Sequence, residues 1–150
     1  MMEVFKICRE KFSRSLQASG VPNRWNKKEE FVIYTAGSRS LAALESVAHR
    51  AAIIASSPYK LLKISVSDEA SIKEIQLKDL PKNWMSIQAY VELQEIGSQW
   101  YTSQESLVLK VPSAIIKEEY NYVINTRHPM FAGQIILESK EDFVWDKRLL

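Results

Sequence analysis

The apolar residues of this chain fall in short runs with strand periodicity, and the stretches of helical spacing between them come at irregular intervals. A doubly wound parallel sheet needs strand and helix to alternate in a regular βαβ rhythm. That rhythm is missing here. The expected fold is therefore α+β: a single compact domain, residues 1–150, with a mixed or antiparallel sheet and flanking helices. A chain of this length buries roughly 68–70% of the surface its unfolded form exposes, so its core needs no covalent staples.

The individual elements follow from period and punctuation. Glu3 to Cys8 alternates apolar and charged residues, as a short strand does. Residues 9–19 have helical spacing through Phe12 and Leu16, until Gly20-Val21-Pro22-Asn23 breaks the pattern. Phe31 to Thr35 is a β-branched and aromatic run that reads as a buried strand, ended by Gly37-Ser38. Leu41, Leu44, Ala48 and Ala51 or Ala52 recur at helical spacing, which predicts a helix over 40–54 capped by Ser38 or Ser40. Tyr59 to Val66 alternates again, and residues 70–77 read as a further strand. After a turn at Leu80-Pro81-Lys82-Asn83-Trp84, residues 86–101 form a weak helical pattern. Ser106 to Val111 is a strand stopped by Pro112, and Tyr120 to Ile124 another, with two closing strands expected at 134–138 and 142–146.

Composition excludes more than it suggests. Twenty basic and 18 acidic residues leave a net charge of +2, with the basic residues dispersed, so direct nucleic-acid binding is not expected. Cys8 is the only cysteine, which rules out an internal disulfide and fits a reducing, cytoplasmic setting. No apolar stretch approaches the ~20 residues of a membrane span, and the start has no apolar segment of signal-peptide length. The four glycines are isolated, and there is neither a P-loop nor a G-x-S-x-G elbow.

Four residues carry the chemistry that remains. Glu45 shares a helix face with Leu41, Ala48 and Ala52, so its carboxylate lies on or beside the stripe that packs on the core. A buried carboxylate without a partner is expensive; Glu45 either snorkels from the edge of the stripe or lines a cleft. Arg24, between a Gly-Val-Pro-Asn loop and Trp25, can present a planar fork to phosphate or stack on the indole as a surface residue. Tyr34 can hydrogen-bond a ligand or be a core tyrosine with a satisfied hydroxyl. Ser113, after Pro112, is a ligand contact or a turn serine. Glu45 and His49 are spaced to meet on a helix, but no third ligand stands out for a metal.

Taken in order, these segments resemble the RES domain, a family named for an arginine, a glutamate and a serine. The matching pieces are Arg24-Trp25-Asn26, Val32-Ile33-Tyr34-Thr35-Ala36, Leu41-Ala42-Ala43-Leu44-Glu45 with His49, Leu80-Pro81 with Trp84, Gly97 with Trp100, Leu107 through Pro112-Ser113, Asn121 to Asn125, His128-Pro129, and Phe143 with Asp146 to Leu149. The resemblance implies a fold like that of ADP-ribosyltransferases and the toxin of a toxin–antitoxin pair. It implies NAD⁺ as substrate with no prosthetic group, its nicotinamide–ribose bond cleaved by hydrolysis or phosphorolysis. The implied partner is an Xre-type helix-turn-helix antitoxin in a larger assembly. On this resemblance Arg24, Glu45 and Ser113 are the catalytic candidates, and with Tyr34 they form the NAD⁺ site. Transfer of ADP-ribose to a protein, or a silent binding module with the same fold, are the alternatives. The chain departs from the family pattern at Pro22-Asn23, at Lys27 to Glu30, at Thr126 and Met130, and in its first strand, where Lys6 stands for an arginine.

Overall fold

The computed structural model describes residues 1–150, the side chain of Arg50 excepted. Seven strands form one sheet: β1 (Met2–Arg9), β2 (Val32–Ala36), β3 (Tyr59–Val66), β4 (Ile72–Glu74), β5 (Val108–Pro112), β6 (Tyr120–Asn125) and β7 (Ile135–Phe143). Their spatial order is β4-β5-β6-β2-β1-β3-β7. Only β4 and β5 run parallel; every other pair is antiparallel. Three helices accompany them: α1 (Arg39–Val47), α2 (Tyr90–Ser103) and the single turn α3 (Phe131–Gln134). This is the mixed-sheet α+β domain expected from the sequence.

One junction in the sheet governs everything else. β1 pairs with β3 along its whole length, from Met2↔Val66 to Arg9↔Tyr59. With β2 it pairs at one position only, Phe5↔Ala36. The sheet is thus two sections, β4-β5-β6-β2 and β1-β3-β7, joined at a point. Ile33, Val108 and Ile124 from the first section and Val4, Leu62, Ile64 and Val66 from the second pack into one buried cluster, so the sections fold toward each other. Removing these side chains from water is the main force that closes the sheet.

The outer faces are covered separately. α2 lays Leu93 and Trp100 over Leu109, Val111 and Val123, together with Trp25 and Trp84. Trp100 donates its indole N–H to Ser106 Oγ at 2.9 Å, so the buried ring leaves no polar atom unpaired. α1 packs Leu41 and Ala42 against Phe5, Ala36 and Leu61. Ser38 caps it, its Oγ accepting the Leu41 N–H at 3.1 Å.

Several elements differ from their expected extents. The 40–54 helix ends at Val47, and only a short turn at Arg50–Ala52 follows. The stretch 9–19 keeps one tight turn, Glu10–Phe12. The strand read at 70–77 shrinks to Ile72–Glu74. Pro112 is the last residue of β5 rather than its stop, and the two closing strands are a single strand, β7, with a register shift opposite Lys63/Ile64. No helix is long and apolar enough to cross a membrane.

Candidate active site

Beyond Phe5↔Ala36 the strands β1 and β2 part, and a cleft of about 500 Å³ occupies the opening. Its floor is Phe5 to Ile7 and Tyr34 to Ala36; α1 contributes Ala42 and Glu45, with His49 just beyond its end; the 23–25 loop and the 85–90 segment form the other wall, with Asn121 and residues 112–115 at the end. A shallower depression between residues 14–16 and β7 gathers no comparable set of groups; there Lys140 is turned to the Arg14 carbonyl and Glu138 to Ser65.

Glu45 lies in the last turn of α1, half-buried, on the side that faces the cleft rather than the core. Leu41, four residues earlier, is the buried member of the same stripe. Burial pushes the Glu45 carboxyl above its ordinary value, and the Asn121 amide, His49 and the Arg24 charge offset only part of that. His49 does not pair with the carboxylate: its Nδ1 lies 3.2 Å from the Glu45 backbone carbonyl. Among the described residues, no group of three or more His, Cys, Asp or Glu side chains is placed to hold a metal.

Arg24 reaches the cleft from the loop 20–30. This loop is closed by Gly20, whose φ of 77° few side chains tolerate, and by the Glu29 N–H donating to the Gly20 carbonyl at 2.8 Å. Inside it Asn26 is 1% exposed and donates to three carbonyls, those of Val21, Lys27 and Glu30. Glu30 accepts the Lys27 N–H and the Ser98 hydroxyl, which ties the loop to α2. Arg24 Nη1 donates to the carbonyls of Trp84 (2.7 Å) and Ser86 (3.4 Å), Nη2 to that of Met85 (3.3 Å), and the guanidinium lies over the Tyr90 ring at 4.8 Å.

Tyr34 borders the cleft with its ring, but its hydroxyl is engaged. It accepts the Trp25 N–H at 3.0 Å and donates to Asn26 Oδ1. Burial raises its pKa far above the ordinary phenol value, so it stays protonated. Tyr34 therefore fixes the Arg24-Trp25-Asn26 turn. Tyr34→Phe should leave the Trp25 N–H and the Asn26 carbonyl short of a partner and lower unfolding free energy by about 1–3 kcal/mol; urea denaturation measures it, and an unchanged midpoint refutes the role.

Ser113 is fully buried, and its Oγ accepts the N–H groups of Ile115 (3.0 Å) and Ile116 (3.1 Å). It shapes the turn whose neighbours Pro112, Ala114 and Ile115 border the cleft, without itself lining it. The structure thus gathers Arg24, Tyr34 and Glu45 around one space and sets Ser113 behind its wall. It also brings Lys6 and Asn121 into the lining. The sequence held one sign of Lys6: it stands between Val4 and Cys8 on the side of β1 that packs inward.

A fold of two sheet sections joined at a point, with a half-buried carboxylate in the gap, defines a class that the comparisons make specific. One solved chain, from the crystal structure of the M. tuberculosis MbcT–MbcA toxin–antitoxin complex, superposes with a TM-score of 0.79 over 95% of this chain and 84% of its own, at 18% identity. At that identity the likeness speaks for the fold alone. The sequence relatives are nearer. "Toxin Res" of Yersinia enterocolitica is 36% identical over 126 residues, 84% of this chain and 82% of that protein. "Prs ADP-ribosylating toxin" of a Sphingobium species is 36% identical over 129 residues, 85% of this chain and 80% of its own. The RES domain model matches residues 4–146. The chain belongs to the RES domain family.

Proposed function

We propose that this chain is the toxin of a toxin–antitoxin pair and that it acts in the cytoplasm on NAD⁺, cleaving the bond between nicotinamide and ribose. The observation that carries this reading is the Glu45 carboxylate, half-buried in a cleft of about 500 Å³ beside Asn121, with the Arg24 charge near enough to act on it. The names of the relatives support the toxin role, and the MbcT–MbcA complex supports an antitoxin as partner. An Xre-type helix-turn-helix protein is the partner proposed.

The chemistry suits the residues present. Nicotinamide leaves as a neutral molecule and needs no proton, while the ribose carbon it leaves gains oxocarbenium character. An anionic Glu45 near that carbon stabilises the developing charge, and the low polarity around it strengthens the effect. Water then gives ADP-ribose and a proton; phosphate gives the ADP-ribose phosphoester. The positive nicotinamide ring of bound NAD⁺ favours ionisation of Glu45, countering the desolvation that holds its pKa up.

The second reading keeps the same bond cleavage and passes ADP-ribose to a protein; the relative named "Prs ADP-ribosylating toxin" favours it. The deciding experiment follows NAD⁺ and nicotinamide by chromatography over purified, antitoxin-free protein, with and without phosphate. A parallel sample adds cell extract and labelled NAD⁺. Free nicotinamide from NAD⁺ in buffer supports hydrolysis, or phosphorolysis if phosphate is required. A labelled protein band with NAD⁺ stable in buffer supports transfer. A folded protein that does neither refutes the enzymatic reading and leaves a binding module.

A further inference from the structure

Lys6 lines the cleft and has no part in the mechanism above. It sits where β1 and β2 separate, on the inward side of β1 with Val4 and Cys8, and is mostly covered. Burial lowers its pKa, and Cys8 is the only charge neighbour opposing that; no carboxylate holds its ammonium in place. Among the described residues it makes no ion pair. A desolvated cation without a counterion is costly to keep in a fold. One that opens on a cleft has room for an anion that arrives with a ligand.

The other two basic groups of the lining are occupied. Both terminal nitrogens of Arg24 donate to the carbonyls of Trp84, Met85 and Ser86, and its plane is stacked on Tyr90. His49 is exposed and turned to the Glu45 carbonyl of α1. Binding phosphate through the Arg24 fork would mean breaking three bonds to the 84–86 segment; binding it through Lys6 breaks none.

We propose that Lys6 is the anion-binding residue of this cleft, holding a phosphate of the substrate's diphosphate, and that Arg24 is a positioning residue that keeps the 84–86 segment as the cleft wall. The proposal rests on the NAD⁺ reading for the identity of the ligand. It assigns the diphosphate to a compact ammonium rather than a planar fork, which gives a strong point contact with little demand on phosphate orientation. It also makes binding sensitive to alkali, because an ammonium titrates where a guanidinium does not. The groups that share the cleft with Lys6 are Glu45 from α1, His49 just beyond it, Arg24 from the loop, Tyr34 from β2 and Tyr90 from α2, with Cys8 on its own strand. Tyr34 is held protonated by burial, so loss of the Lys6 proton is the change expected to weaken an anion as pH rises.

The test is calorimetric titration of the whole chain with ADP, which carries a diphosphate, and with adenosine, which does not. Lys6→Met keeps the length of the side chain without its charge and should bind ADP roughly ten- to a hundred-fold more weakly, with adenosine unchanged. Lys6→Arg should restore ADP binding at neutral pH and retain it at alkaline pH, where the parent loses it. ADP affinity equal in Lys6→Met and the parent overturns the proposal. Should Lys6→Met not fold, the alkaline comparison decides alone: equal ADP binding by the parent and Lys6→Arg at every pH overturns it. The two readings fail separately. A protein that binds ADP through Lys6 and leaves NAD⁺ intact keeps this site and loses the activity. One that consumes NAD⁺ with the same KM after Lys6→Met keeps the activity and loses this site.

Discussion

Glu45→Gln should cut NAD⁺ cleavage by at least ~100-fold, about 2.7 kcal/mol of barrier, while the protein melts no earlier than its parent. The substitution keeps the side chain's volume and leaves a polar group facing Asn121. It removes only the charge that would stabilise the ribose cation. Stability moves the other way. Burial raises the Glu45 pKa in the folded state, so the folded protein binds that proton more tightly than the unfolded chain does. Stability contributed by the protonated form is therefore lost as pH rises through this window. Glutamine carries no such loss, so the gain in melting temperature should be present at neutral pH and absent at acid pH below both pKa values. The same shift moves the acid limb of the parent's kcat/KM profile upward from where an unburied glutamate would set it. Turnover of Glu45→Gln within a few-fold of the parent sinks the assignment.

Gly97→Ala is expected to be the most disruptive single methyl in the molecule. A Cβ at this position would stand 1.7 Å from the Trp25 carbonyl oxygen and 2.6 Å from its carbon. Both are backbone atoms, so no rotamer change relieves the overlap. On an exposed helix the same substitution would add about 1 kcal/mol of stability through helix propensity. Here α2 or the 20–30 loop must move, and the loop is tied down by Asn26, by the Tyr34 hydroxyl and by Glu30 through Ser98. Overpacking typically costs ~1–3 kcal/mol and sometimes more; backbone contact places this case at or above the upper end. Urea denaturation reads the loss directly. A variant as stable as the parent would mean that α2 and the loop slide apart freely, contrary to the bonds described.

Alternation was the readable part of the fold. Leu62, Ile64 and Val66 marked β3 with its true ends, although the strand is covered on both sides, with Leu61 and Ser65 buried as well. Helix limits were less legible. Spacing carried α1 on to residue 54, but Ala51, Ala52 and Ile54 are exposed, so no packed face holds further turns. In the 9–19 stretch Phe12 is exposed for the same reason. The polar run Ser139 to Glu141 looked like a break between two strands, yet on an edge strand the backbone pairing with β3 continues whatever the side chains are. At the site, residue spacing put Glu45 on or beside the packing stripe of α1 and left open whether it snorkels or lines a cleft. The meeting of Arg24 and Tyr34 with it came through family resemblance, since nothing local links a loop to a strand end and a helix. Ser113's turn was among the readings open from sequence. The parting of β1 from β2 was not, because it depends on strand registers set by residues far apart in the chain.

That parting also sets when the protein can act. The residues around the opening run from Phe5 to Asn121, and β1 finds its full-length partner only at 59–66. A ribosome adds roughly 5–20 residues each second and releases the amino-terminal part first. During that interval β1 is outside while most of its surroundings are not yet made. A chain stopped before residue 112 lacks the whole end of the cavity, and one stopped before residue 121 still lacks Asn121. If the finished protein destroys NAD⁺, its own synthesis is a period of safety: the host can translate nearly the whole message before a working enzyme exists, and an antitoxin made alongside has that time in which to be ready.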